Sequence, residues 1–329
     1  MTGAGSRRAL VTAPLAGPGR RRLEELLDVV YEPWIEQTPL RIYDAAGLAG
    51  RAREVGAGVL VVEADAVSGP VLDLPLMAVA VTRGDPHNVD LDAATAAGIP
   101  VISTPGRNAD AVAELAVALL FAVGRRVVVA DREVREGQVF AGGTIPYQRH
   151  RVWELAGRTA GLIGLGAVGR ATRWRLEGLG MKVLAHDPFN PDARATLEEV
   201  LAGSDVVSLH APPGPGTHHL IDAEALAAMR PGAILLNTAR GSLVDTDALV
   251  DALRSGHLGG AGIDHVDGEV LPEGHPLLGM TQVVLTPHIG GATYDTEARG
   301  AEMVAADLAA VLAGARPRHL ANPDVWKGS

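Results

Sequence analysis

Along the first third of the chain, short apolar runs alternate with stretches in which Leu, Val and Ala recur at helical spacing. Ala9–Thr12, Val59–Val62, Met77–Thr82 and Val101–Ser103 read as strands, and Arg20–Val29, Leu48–Val55 and Leu91–Ala97 as helices. Such alternation predicts a parallel sheet covered on both faces. Asn108–Gly124 is continuously apolar and reads as a buried helix passing between domains, and the more polar Asp131–Arg158 as an irregular connection. A second series follows, with strands at Thr159–Ile163, Lys182–His186, Val206–His210, Ala233–Asn237, Gly260–Asp264 and Val283–Thr286. Six strands with helices between most of them suit a dinucleotide-binding sheet. Thr293–Ala313 closes the pattern as one long amphipathic helix running back toward the first domain.

Composition narrows the chemistry. The 329 residues are 47% hydrophobic, enough for two cores, and the net charge of −10 argues against a nucleic-acid surface. Without any cysteine there can be no disulfide, no thiolate-bound zinc and no thiol nucleophile. The opening stretch carries Arg7-Arg8, but its apolar run breaks at Pro14, so a strand is expected there and not a secretory leader. No membrane span is expected, and the protein is expected in the cytoplasm.

Gly164-Leu165-Gly166-Ala167-Val168-Gly169 follows a strand pattern and opens a helix pattern. In that context Gly164 makes the tight turn, Gly166 admits a pyrophosphate to the backbone and Gly169 lets helix and strand approach. Asp187, at the end of the next strand, is placed to accept hydrogen bonds from the adenosine ribose and would repel a 2′-phosphate, so NAD is expected over NADP. The plainer alternative is that Asp187 caps the turn before Pro188. His210, before Ala211-Pro212, is expected to line the cofactor cleft, as are Thr217, Thr238, Ala239, Asp264 and Gly290. The pair His218-His219 reads as loop, and no metal site is expected.

Three segments leave the carboxyl ends of the later strands: Asn237–Gly241 with Arg240, Asp264–Glu269, and Thr286–Thr293 with His288. A guanidinium, a carboxylate and an imidazole can thus converge where open α/β sheets bind ligands. Hydride addition to a carbonyl leaves an alkoxide that needs a proton donor working near neutral pH, for which histidine is suited. A carboxylate orients that imidazole, and arginine matches a substrate carboxylate.

With Asn88-Val89-Asp90, Thr104-Pro105-Gly106, Val112-Ala113-Glu114 and Asn322-Pro323, these motifs make the sequence resemble the D-isomer-specific 2-hydroxyacid dehydrogenases over nearly its whole length. The resemblance implies an α/β architecture with a Rossmann NAD-binding domain (residues 106–292) inserted into a flavodoxin-like substrate domain (1–105 and 293–329). It also implies a homodimer built around Asn108–Gly124 and the arm that follows. By the same resemblance His288 is the acid/base, Glu269 its partner and Arg240 the grip on the carboxylate and carbonyl of a small 2-hydroxy or 2-keto acid. Relatives usually carry glycines where this chain has Arg83-Gly84-Asp85, which are expected to touch substrate. Either Arg83 adds an anion contact, or it pairs with Asp85 and leaves only the Gly84 amide. His265-Val266 stands where many relatives have Val-Phe, and Val270 where a proline usually follows the glutamate. Two alternatives remain at this point: an enzyme of the same fold with another substrate, such as phosphite, and a non-catalytic NAD(H)-sensing protein.

Overall fold

The computed structural model describes residues 6–214 and 216–326; the first residues of the stretch weighed as a leader lie outside them. The chain divides into two compact units, one running to Arg107 and resuming at Thr293, the other comprising Asn108–Ala292.

In the first unit β1 (Arg8–Val11), α1 (Gly17–Leu26), β2 (Asp28–Tyr31), α2 (Ala45–Val55), β3 (Val59–Val62), β4 (Ala78–Val81), α3 (Leu91–Ala96) and β5 (Val101–Ile102) follow in order. The strands form a parallel sheet in the order β2-β1-β3-β4-β5, the flavodoxin-like arrangement. β3 and β4 are buried at every residue, which is why they read as unbroken Val, Leu and Ala. The helix predicted over Arg20–Val29 stops early: Leu27 is already extended and Asp28–Tyr31 pair with β1 as an edge strand. A short apolar run such as Leu27–Val30 fits either period, and only the pairing decides. α2 begins after Asp44, whose side chain accepts the Gly47 N–H at 2.7 Å.

The second unit contains α4 (Ala109–Gly124), α5 (Val127–Arg135), α6 (Pro146–Arg149), β6 (Thr159–Ile163), α7 (Ala167–Gly178), β7 (Lys182–His186), α8 (Leu197–Gly203), β8 (Val206–Leu209), α9 (Ala223–Ala228), β9 (Ile234–Asn237), α10 (Thr246–Arg254), β10 (Gly260–Ile263) and β11 (Val283–Leu285). All its strands are parallel, in the order β11-β10-β9-β8-β6-β7. The chain steps from β6 to β7 on one side and crosses to β8 on the other. The carboxyl ends of β6 and β8 therefore flank the topological switch point, where a ligand fits. The sheet ends at β7, one strand short on that side of the usual six-strand Rossmann order. α4 lies close on this sheet because β10 carries glycines: a Cβ at Gly260 would stand 2.5 Å from Val123 Cγ1, and one at Gly262 2.9 Å from Leu119 Cβ.

The segment expected to be irregular is largely so, but takes in the end of α5 and the single turn α6. Val127, Val128 and Val134 of α5 are exposed, so much of its apolar surface is left uncovered by the described residues. α11 (Tyr294–Leu312) belongs to the first unit and packs on α1, where Gly19 leaves no room for a side chain against Glu302 N. Among the described residues no helix is long and apolar enough to cross a membrane.

Candidate active site

At the end of β6 the backbone turns at Gly164 with φ +96°, and a Cβ there would lie 2.6 Å from the His210 backbone. A Cβ at Gly169 would sit 2.2 Å from the Gly164 carbonyl oxygen. These two glycines are required by protein packing. Around Gly166 no protein atom lies within 4 Å of a would-be Cβ, so its outer face is open. Gly166 is the N-cap of α7, and no side chain satisfies the first-turn amides, which include Ala167, Val168 and Gly169. Open space beside free amides at a helix N-terminus fits a pyrophosphate.

Leu165, inside the glycine loop and expected with it at the cofactor, is held by protein contacts. Its side chain is buried in the core, its N–H donates to Asp187 Oδ2 at 2.8 Å, and its carbonyl accepts from Asn190 Nδ2 at 2.8 Å. Asp187 also accepts the Phe189 N–H through Oδ1 at 2.9 Å, so it caps the turn as well as bracing the glycine loop. It lines an open recess of about 750 Å³ with Pro188, Phe189, Asn190 and Arg194, roomy enough for an adenosine.

Beyond the switch point, His210 Nε2 lies 3.0 Å from Ser208 Oγ, while its Nδ1 is enclosed and unpartnered among the described residues. Burial lowers its pKa to about 4, so the ring is neutral near pH 7. Thr238 Oγ1 is likewise enclosed and unpartnered. Two orphaned polar atoms at the ends of β8 and β9 fit the polar edge of a dinucleotide. Thr217 ties its hydroxyl to the Pro212 carbonyl at 2.8 Å, and Ala211 and Ala239 flank these positions, partly exposed.

Asp264 and Gly290, expected at the cofactor cleft, are bonded to each other. Asp264 is enclosed just past β10. Its Oδ1 accepts from Thr286 Oγ1 (2.6 Å) and Ile289 N (2.9 Å), its Oδ2 from Gly290 N (2.9 Å), and its carbonyl from His288 N (3.0 Å). These bonds fix the loop that carries His288. Gly290 is needed because a Cβ there would already be 3.1 Å from Asp264 Oδ2. In the neighbouring loop, Asn237 Nδ2 donates to the Arg240 carbonyl at 2.8 Å. The next residue, Gly241, sits so tightly on the Val266–Asp267 backbone that a Cβ would be 2.1 Å from it. The Arg240 loop is thereby seated on the loop leading to Glu269.

His288 Nδ1 lies 3.1 Å from Glu269 Oε2. Both residues are exposed and both have left-handed backbones, His288 at φ 55° and Glu269 at φ 65°. Non-glycine residues in that region cost about 1–3 kcal/mol each, a strain that concentrates at working sites. Arg240 is exposed, one terminal nitrogen donating to the Ala239 carbonyl at 2.7 Å. The structure adds a residue that sequence reasoning noticed only as a departure. His265 is 4% exposed, and its ring is tilted against that of His288 with 3.6 Å between centroids. Burial, then the charges of His288 and Arg240, lower its pKa to about 4 against the opposing pull of Asp264 and Glu269.

In the other unit, Arg83 and Asp85 do not pair with each other. Arg83 Nε donates to the Glu63 carbonyl at 2.7 Å, and a terminal nitrogen lies 3.1 Å from His87 Nε2. The amides of Gly84 and Asp85 have no partner among the described residues. Glu63, unremarked in the sequence, is the hub of this corner, pairing with Arg107 and accepting from Trp34 Nε1 at 3.1 Å.

The chain is similar to known proteins over most of its length. The model of the D-isomer specific 2-hydroxyacid dehydrogenase, NAD binding domain, matches residues 117–290. A glyoxylate reductase of Thermofilum pendens is 40% identical over 96% of this chain and 95% of its own length. A D-3-phosphoglycerate dehydrogenase of Mycobacterium leprae is 40% identical over 69% of this chain but only 43% of its own. Among solved structures, the TT0316 protein from Thermus thermophilus superposes with a TM-score of 0.82 at 41% identity, covering 95% of this chain and 99% of that one.

Proposed function

This chain belongs to the D-isomer specific 2-hydroxyacid dehydrogenase family, and from that premise we propose that it reduces a small, unphosphorylated 2-oxo acid such as glyoxylate to the D-2-hydroxy acid, with Arg240, Glu269 and His288 as its catalytic set. NAD-linked hydride transfer between a 2-hydroxy and a 2-oxo acid follows from the family itself.

When bound, the nicotinamide cofactor supplies or takes the hydride. The rest falls to the chain. Arg240 pairs its planar guanidinium with the substrate carboxylate and polarises the carbonyl. His288 gives the Nε2 proton to the alkoxide as it forms, while Glu269, 3.1 Å from Nδ1, orients the ring. In the oxidative direction neutral His288 removes the hydroxyl proton. The Glu269–His288 pair, held by two strained backbones, is the observation that carries this reading. A non-catalytic sensor would have no use for it.

A small substrate is favoured because Arg83, the candidate second anion contact, is already bound to the Glu63 carbonyl and His87. The free amides of Gly84 and Asp85 offer the substrate an anion-binding turn. On this reading residues 106–292 serve the cofactor, and the unit made of both chain ends serves the substrate. The exposed Val127, Val134, Phe140, Ile145 and Tyr147 on and after α5 support a homodimer in which a second copy covers them. A cytoplasmic location goes with an NAD(H)-dependent reaction.

The test is NADH oxidation with glyoxylate, hydroxypyruvate, oxaloacetate and phosphohydroxypyruvate. Turnover favouring glyoxylate or hydroxypyruvate supports the proposal. A preference for the phosphorylated or dicarboxylic acid would return Arg83 to the substrate, and silence throughout would reopen the phosphite and sensor readings.

A further inference from the structure

We propose that His265, Glu269 and His288 form a binding site for a zinc-like divalent cation, and that its occupation switches the enzyme off. The inhibitory consequence rests on His288 being the acid/base; the binding itself does not.

Among the described residues this is the one group of His and carboxylate side chains gathered closely enough to share an ion, its ligand atoms all within 4.8 Å of one another. Nδ1 of His288 lies 3.1 Å from one Glu269 oxygen, and Nδ1 of His265 lies 3.7 Å from the other. Zinc bonds of about 2.0–2.2 Å in tetrahedral geometry put neighbouring ligand atoms roughly 3.3–3.6 Å apart, within a few tenths of an ångström of the separations between each ring and its nearer Glu269 oxygen. Three protein ligands leave a fourth position open, as mixed nitrogen and oxygen sites for zinc commonly do. Imidazole with carboxylate suits zinc, cobalt or nickel better than calcium or magnesium.

A second observation is independent of the clustering. His265 is 96% enclosed, yet its Nδ1, aimed toward Glu269, has no hydrogen-bond partner among the described residues. At 3.7 Å the carboxylate is too far to serve. An orphaned nitrogen in an enclosed ring is unfavourable, and a bound cation would satisfy it. The other histidine pair, His218-His219, stacks ring on ring with 4.1 Å between centroids and has no carboxylate in such a group. The groups that face His265 are the imidazole of His288, the guanidinium of Arg240 and the carboxylates of Asp264 and Glu269; with His288 neutral as a ligand, two acids face one fixed cation.

A cation on Nδ1 of His288 takes the place of the proton shared with Glu269, and that proton leaves to solvent. The ring then holds one proton, on Nε2. Giving it up would leave an imidazolate, and no lone pair remains to receive another. Proton transfer to or from substrate therefore stops in both directions until the cation is removed.

The test is a titration of chelator-treated full-length protein with Zn²⁺ in the absence of substrate, followed calorimetrically and repeated with Co²⁺ for the visible spectrum of a tetrahedral site. The expected result is one ion per chain, with affinity reduced at least tenfold in His265→Val and in Glu269→Gln, and unaltered in His218→Ala. Folding of each variant is checked by circular dichroism and NADH binding. Absence of binding, or equal binding by wild type and His265→Val, would overturn the site. Zn²⁺ should also inhibit NADH oxidation by wild type reversibly, with EDTA restoring it, and leave whatever turnover His265→Val retains. Stoichiometric binding without inhibition would overturn the switch and count against His288 as acid/base. Robust turnover in EDTA with no metal binding would leave the proposed function standing and remove only this inference.

Discussion

Asp264 holds the backbone of His288: its carbonyl accepts the His288 N–H at 3.0 Å, while its carboxylate takes the next two amides, Ile289 and Gly290, each at 2.9 Å. The acid/base candidate is thus suspended from a buried aspartate on the neighbouring strand end, at a φ its own side chain disfavours.

Asp264→Asn should therefore loosen that loop without opening a cavity. Whichever way the amide turns, an NH₂ group faces a backbone N–H or the Thr286 hydroxyl, leaving a buried donor unpaired at about 1–3 kcal/mol. We expect a lower melting temperature and a kcat roughly 10- to 100-fold lower, with a smaller change in the KM for the 2-oxo acid, since Arg240 hangs from β9. Thermal unfolding beside steady-state kinetics checks this. Destabilisation with intact kcat would mean that the loop need not be fixed for proton transfer.

His288→Ala should reduce kcat/KM by about 10²–10⁴ while leaving NADH affinity nearly unchanged, because only the proton donor is lost. Glu269→Gln tests the partner through ring orientation. The amide can no longer accept from Nδ1 through both oxygens alike, so kcat should fall by about 10- to 100-fold in both directions with little change in NADH affinity. Steady-state kinetics in both directions checks this, and an unchanged kcat would mean that the ring needs no partner at 3.1 Å.

Arg240→Lys keeps the charge and loses the planar fork. A loss of about 10²-fold in kcat/KM, mostly in KM, is expected from steady-state assays. A variant equal to wild type would place Arg240 on a solvated loop.

Much of this site is legible in the sequence, for identifiable reasons. The glycine loop and Asp187 are local: spacing inside a strand–turn–helix fixes what each residue must do, and Gly164, Gly166 and Gly169 behave accordingly. Arg240, Glu269 and His288 can be picked out because each follows a strand end, and parallel strands bring their carboxyl ends together. What is hidden depends on contacts between segments. That His265 meets the His288 ring follows from left-handed turns at Glu269 and His288, and no pattern predicts a positive φ at those residue types. Arg83 is held by the carbonyl of Glu63, a backbone atom of another strand end that leaves no trace in composition. β2 and α5 are obscured for a related reason, lying at an edge and on an uncovered face where periodicity has little core to report.

Acid should destabilise the second unit through two histidines. His210 and His265 are kept neutral in the fold, each with a pKa lowered to about 4 chiefly by burial. An unfolded histidine titrates near 6.5, so between about 4 and 6.5 the unfolded chain binds more protons than the folded one. Stability is therefore full above that window and falls as pH drops through it, by at most about 1.4 kcal/mol per pH unit for each group. Denaturant melts across the window should show the slope, and His265→Val should flatten it. An unchanged slope in that variant would mean that His265 titrates freely when folded.

Asp187 decides between bracing and recognition. Its carboxylate already receives the N–H groups of Leu165 and Phe189, at 2.8 and 2.9 Å, which alone would justify an aspartate there. Yet one lone pair on each oxygen remains, and the side chain is partly exposed beside the 750 Å³ recess. A negative charge at that point repels a 2′-phosphate and accepts from a ribose hydroxyl. Asp187→Ala removes both functions, and two measurements tell them apart. Loss of the two backbone bonds should lower stability by about 1–2 kcal/mol whatever the cofactor. Loss of recognition should reduce the ratio of kcat/KM for NADH over NADPH by about 10- to 100-fold, with Arg194, on the same recess, then free to attract the extra phosphate. If the melting temperature fell while the ratio held, Asp187 would be a turn cap only, and the preference for NAD would have to come from the shape of the recess.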